Sequence, residues 1–132
     1  MTILTISAAC LIDPQGRLLL VRKRNTRFFM LPGGKQEPDE DALTALRREL
    51  NEELELDLEP AALTPLGQFR APAANEANTW VEAQVFIATL NQPVAACAEL
   101  EALAWWHVQQ PFDAPTAPLV EAHVLPALLT RR

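Results

Sequence analysis

Directly behind the break Pro32-Gly33-Gly34, the chain places Leu43, Leu46, Leu50 and Leu54 at spacings of three and four. That spacing predicts a helix with one apolar stripe, and such a stripe must be buried against another layer. A helix start is expected near Asp39, whose side chain would cap the first N–H groups, with Glu40 and Asp41 near the positive end of the dipole. Whatever the fold, this helix lies on something flat.

The flat layer is supplied by the rest of the chain. Thr2 to Ile12 is rich in β-branched and small apolar residues, and Arg17 to Val21 is a second short apolar run. Asp13-Pro-Gln-Gly16 between them reads as a turn joining two strands. Phe28-Phe-Met-Leu31 reads as a short strand feeding the glycine loop. Leu63 to Phe69, Trp80 to Leu90 and Leu103 to Val108 are further strands, separated by the loop Ala71 to Asn78 and the break Asn91-Gln-Pro93. Pro118 to Leu129 reads as a closing helix, kinked or shortened at Pro126. Strand, strand, helix, strands, helix describes an α/β (α+β) arrangement, a mixed or α/β sheet covered by helices.

At 132 residues with 49% apolar content, residues 1–132 are expected to form one domain with a core of its own. A net charge of −6 argues against a partner that is a nucleic-acid polymer or an anionic membrane. Any polyanionic substrate would need a cation to accompany it. Cys10 and Cys97 stand far apart, outside any Cys-x-x-Cys pair, and read as thiols in a reducing compartment. With no export-signal pattern and no apolar run of membrane-spanning length, the expected location is the cytoplasm.

On the predicted helix, Glu49, Glu52 and Glu53 fall on one arc beside the leucine stripe. Like charges so placed destabilise a helix by roughly 0.2–0.5 kcal/mol per pair, so keeping three together suggests a compensating cation. Hard oxygen donors suit Mg²⁺ or Mn²⁺. Taken alone, an acidic run is more often a solvated surface.

The surrounding residues change that balance. Gly34-Lys-Gln-Glu-Pro-Asp-Glu40, seven further residues, then Arg48-Glu49-Leu50-Asn51-Glu52-Glu53-Leu54-Glu55-Leu56 resembles the Nudix box, filling every defining position but one. Leu31-Pro32-Gly33 before it and Trp105-Trp106 near the C-terminus also resemble family usage. The resemblance implies a mixed sheet sandwiched between helices and a Mg²⁺-dependent hydrolase acting on phosphoric anhydride bonds. It also implies metal binding by Glu49, Glu52 and Glu53, with the backbone carbonyl of Gly33 completing the shell. Arg48 would orient Glu49, and the catalytic base would be either Glu49 or Glu99, the latter on a later acidic loop. Glu40 projects to the opposite side of the stripe and, with Gly34, reads as structural bracing of loop and helix rather than as a ligand. Glu55 departs from the pattern, because the box has glycine there to leave the helix through a left-handed cap. The departure is expected to cost roughly 1 kcal/mol or to move the helix end by one residue.

For substrate, the cluster Arg22, Lys23, Arg24 and Arg27 offers candidates for the outer phosphates. Phe28, Phe29 and Trp80 are more often core than base-stacking residues. His107 and His123 have no second ligand at metal spacing and read as structural or surface residues. The entry to the box resembles MutT-like enzymes that convert a nucleoside triphosphate to the monophosphate and pyrophosphate. The absence of tyrosine turns the reading away from dinucleoside polyphosphates, whereas Pro72 keeps ADP-ribose or a nucleotide sugar open. A non-catalytic nucleotide-binding module is the other alternative, and monomer and homodimer both remain open.

Overall fold

A computed structural model describes residues 1–130, so the expected span 1–132 runs slightly beyond them. In chain order the elements are β1 (Thr2–Ile12), β2 (Leu18–Lys23), β3 (Gly33–Lys35), α1 (Ala42–Leu54), a 3₁₀ turn (Pro60–Ala62), β4 (Thr64–Pro72), β5 (Thr79–Thr89) and β6 (Leu100–Trp106). A π-helical stretch (Val120–Val124) then runs into α2 (Leu125–Thr130).

The strands form one mixed sheet in the order β4-β5-β1-β2-β6, with β3 also on β1. β1 lies parallel to β5 along its whole length, from Thr2↔Thr79 to Ile12↔Thr89. Its other edge is divided. β2 pairs with it at Ile12↔Leu18 and then runs alongside β6, while β3 takes the stretch Ile6 to Ala8. This divided edge lets the backbone open a cleft between β2 and β3.

Alternation along the strands sends residues to two cores. Ala9, Leu11, Leu19 and Val21 pack with Leu46, Leu50 and Leu54 of α1 on one face. Ala8, Cys10, Leu18, Leu20 and Val85 pack with Val120 and Val124 on the other. Helices therefore cover both faces, giving the expected α+β sandwich. Leu43, at the start of the stripe, is only partly buried.

Several boundaries differ from expectation. Asp41, not Asp39, caps α1, its Oδ1 accepting from the Thr44 N–H at 2.8 Å, so Glu40 and Asp41 precede the first turn. Phe28 to Leu31 is not a regular strand; it makes isolated bridges, Val21↔Met30 and Phe29↔Thr116, while the glycine segment itself becomes β3. β4 runs on to Pro72, which shortens the expected loop, and β6 begins at Leu100. Near Pro126 the helix does not break. Immediately before it the turn widens, the Leu125 N–H reaching back to the Val120 carbonyl.

Candidate active site

Where β2 has left β1 and β3 has joined it lies a cavity of about 520 Å³. Glu49, Glu52 and Glu53 reach it from α1, Gly33 and Gly34 from β3, Lys23 from the end of β2, and Glu99 from the segment before β6. Residues far apart in sequence are thus brought to one place by the divided edge of β1.

The glycines set how closely the elements approach. Gly33 has φ +146, and a Cβ there would meet the Ser7 carbonyl oxygen at 2.1 Å and the Ala8 Cα at 2.8 Å. At Gly34 a Cβ would lie 2.4 Å from the Glu49 carboxyl carbon, so hydrogen alone leaves room for that carboxylate against the loop.

Arg48 organises the acids around it. Its Nε and Nη2 donate to the two oxygens of Glu40, both at 2.8 Å, a bidentate pair. Its Nη1 donates to Glu49 Oε2 at 3.0 Å and stands 3.5 Å from Glu52 Oε1, and its Nη2 also reaches the Lys35 carbonyl at 3.1 Å. With its donors so engaged, Arg48 does not itself line the cavity and meets its wall through Glu49. Glu40 also accepts from the Glu37 N–H at 2.9 Å, fastening the loop to the helix. Hydrogen bonds from Arg48, then from the Glu37 backbone, hold its carboxyl down to about 2.

A carboxyl held down in the folded state contributes stability that is present above its ordinary value of 4.5 and lost as pH falls towards about 2. Glu40→Gln should therefore melt at a lower temperature than the parent at neutral pH, with the gap closing near pH 2. A gap of the same size at both ends of a pH-dependent melting series would remove the ionic clamp from the explanation.

The three helix acids occupy different environments. Glu53 is 5% exposed, and its Oε1 accepts from the Gly33 N–H at 3.3 Å. Burial pushes its carboxyl up to about 7, against the opposing pull of that hydrogen bond and of Lys23. Burial also raises Glu49, with Arg48 opposing. The Glu52 side chain is 55% exposed. Among the described residues, no three His, Cys, Asp or Glu side chains enclose an ion as they stand. The donor set is nonetheless all oxygen, on one helical arc facing one cavity, and in chemical type it fits a hard divalent cation.

Arg22, Arg24 and Arg27 do not line the cavity; of that basic cluster, Lys23 does. Arg22 pairs with Glu101 at 2.8 Å and donates to the Thr26 carbonyl, and the Arg27 guanidinium lies over Phe28. No aromatic side chain lines the cavity among the described residues: Phe29 packs edge-on against Phe112, and His123 stacks on Phe69. Sequence reasoning missed Ser7, fully buried at the cavity wall, whose hydroxyl donates to the Ala42 carbonyl at 2.7 Å. A serine directly before the small apolar run Ala8-Ala9-Cys10 of β1 was the available signal. It also missed the walls formed by Ala73 to Glu76 and by Leu119 and Val120.

Fold and cavity together define a sheet-and-helix domain with carboxylates gathered behind a glycine loop. The chain belongs to the Nudix family, whose NUDIX domain model matches residues 1–128, and it is a Nudix hydrolase. The MutT NUDIX hydrolase from Burkholderia pseudomallei is 23% identical with a TM-score of 0.77, covering 99% of this chain and 100% of that one. The NUDIX domain of Shewanella oneidensis NrtR, complexed with ADP ribose, is 19% identical with a TM-score of 0.75, over 98% and 88%. The E. coli dihydroneopterin triphosphate pyrophosphohydrolase is 18% identical with a TM-score of 0.65, over 83% and 85%. At these identities the likeness is one of fold. No curated protein matches the chain in sequence. A divalent metal is typical of the family, and no helix among the described residues is long and apolar enough to cross a membrane.

Proposed function

We propose that residues 1–132 act as a single-domain, Mg²⁺-dependent pyrophosphohydrolase that cleaves a nucleoside triphosphate to the monophosphate and pyrophosphate. The observation that carries this reading is the convergence of Glu49, Glu52, Glu53 and Glu99 with Lys23 on one cavity beside the Gly33-Gly34 loop. Carboxylates alone would repel a triphosphate, so the site makes chemical sense with a cation between the two.

Glu49, Glu52 and Glu53, with the Gly33 carbonyl, are the groups that would hold Mg²⁺ or Mn²⁺. Such an ion supplies neutralisation of phosphate charge and acidifies water. Lys23 adds a positive charge at the cavity wall. Hydrolysis requires a water oxygen to bond to phosphorus as the bridging P–O bond breaks, with the water proton passing to a base. Of the two candidate bases, Glu49 is engaged by Arg48 at 3.0 Å. The Glu99 side chain is 78% exposed and stands 3.9 Å from Lys23 Nζ. We assign proton acceptance to Glu99 and leave Glu49 to the cation.

A second reading, hydrolysis of ADP-ribose or a nucleotide sugar, draws on Pro72, which lines the cavity. One assay separates the readings. The protein is incubated with Mg²⁺ and a panel of nucleoside triphosphates, ADP-ribose, nucleotide sugars and dinucleoside polyphosphates, and the phosphate products are resolved. Pyrophosphate from a triphosphate, lost on chelation and regained with added Mg²⁺, is the expected result. AMP from ADP-ribose alone would select the second reading. No product from any compound, with the fold intact, would leave a nucleotide-binding module.

A further inference from the structure

Glu55 and the segment before β6 are joined in a way that the hydrolytic reading does not use. Glu55 ends α1 with φ 54 and ψ 35, its N–H reaching the Asn51 and Leu50 carbonyls. The helix end has therefore not moved; a glutamate has taken the left-handed position itself. Glycine would make the same backbone bonds without the steric cost of a Cβ, roughly 1 kcal/mol. The side chain offers a reason for the exchange, because Glu55 Oε1 accepts from the Cys97 thiol at 3.3 Å.

Cys97 is held to the helix end a second time. Its N–H donates to the Glu53 carbonyl at 2.9 Å, one of the terminal carbonyls that a helix cannot satisfy internally. The next residue, Ala98, is also left-handed, with φ 54. After it, the Glu99 carbonyl accepts from the Arg24 N–H at 2.9 Å. A strained alanine is thus pinned between an anchor on α1 and another beyond β2, and both Ala98 and Glu99 line the cavity. A non-glycine residue keeps such a conformation only where its surroundings impose it.

We propose that Glu55 is a positioning residue that, through Cys97, holds the strap Cys97–Ala98–Glu99 so that Glu99 reaches the cavity. This rests on the assignment of proton acceptance to Glu99 above. A thiol is a weak donor, so the contact selects one conformer of the strap more than it stabilises the fold. The residue that departs from the box pattern thereby gains a role in the reaction.

The test compares Glu55→Gly, Glu55→Gln, Glu99→Gln and the Glu55→Gly/Glu99→Gln double variant, each full length. Cys10 is fully buried, so alkylation by iodoacetamide under native conditions reads Cys97. In Glu55→Gly, alkylation should be faster and kcat should fall roughly tenfold with KM nearly unchanged. Its melting temperature should not drop, because glycine suits the left-handed position. Glu55→Gln keeps the accepting oxygen and should restore kcat, with alkylation between the parent and Glu55→Gly because the carboxylate charge that raises the thiol is lost. The double variant should be no slower than Glu99→Gln. Parental kcat in Glu55→Gly or in Glu99→Gln, or a further loss in the double variant, would overturn the inference. Failure of the hydrolytic reading shows separately, as parent protein without metal-dependent product. In that case an unchanged alkylation rate in Glu55→Gly would still refute the strap.

Discussion

Glutamine at position 53 is expected to reduce metal-dependent turnover by roughly a hundredfold or more while leaving the fold intact. Glutamine has the shape of glutamate and keeps an oxygen for the Gly33 N–H, which lies 3.3 Å from Glu53 Oε1. What it loses is the negative charge facing the cavity. The same substitution has a second, opposite consequence for stability. In the metal-free protein, burial raises Glu53 from 4.5 to about 7, so the folded chain holds a proton that the unfolded chain releases. Stability from this group is fully present below about 4.5 and falls as pH rises through about 7. That shift corresponds to about 3 kcal/mol. Glu53→Gln should therefore be more stable than the parent above pH 7 in the presence of a chelator, and similar to it in mild acid. Denaturant unfolding at both pH values, run beside the hydrolysis assay, checks the pair of effects. Near-parental turnover would end the assignment of Glu53 to the metal.

Gly33→Ala should cost roughly 3 kcal/mol or more, measured as a fall in the denaturant midpoint. The added methyl would sit 2.1 Å from the Ser7 carbonyl oxygen, and that atom belongs to the strand at the middle of the sheet. The φ of +146 is open to glycine and strained for other residues. β1 cannot retreat easily, because Ser7 is fully buried, hydrogen-bonded to Ala42, and paired on its other side with Gln84. A variant melting within about 2 °C of the parent would show that the approach of β3 to β1 is softer than the geometry implies.

What could be read in advance depended on whether the signal was local. The stripe Leu46, Leu50 and Leu54 buries as its spacing requires, and the apolar runs of Thr2 to Ile12 and Arg17 to Val21 supply strands β1 and β2, whose side chains enter two cores. The helix start was misplaced because Asp39 and Asp41 are equally good caps in isolation. What separates them is Arg48, whose grip on Glu40 holds that residue outside the helix. Phe28 to Leu31 has the composition of a strand, yet the adjoining glycines pair with β1, since only they can approach Ser7 so closely. In the site, three acids on one arc were visible from spacing alone. That Lys23 rather than its arginine neighbours meets the cavity depends on where β2 ends, and no local pattern encodes it.

The long parallel pairing of β1 with β5 also bears on how the chain reaches this structure. Thr2 finds its partner at Thr79 and Ile12 at Thr89, so this edge of β1 is satisfied only once the chain through β5 has been made. Pairings of such high sequence separation slow folding, because a large loop is closed before the contacts repay it. Until β5 emerges, an apolar strand has an open edge, the kind of segment that chaperones shield and that aggregates when left exposed. The cleft between β2 and β3 takes its shape from that same central strand. Catalytic competence should accordingly appear late in refolding, in step with the β1–β5 pairing and after α1 has formed.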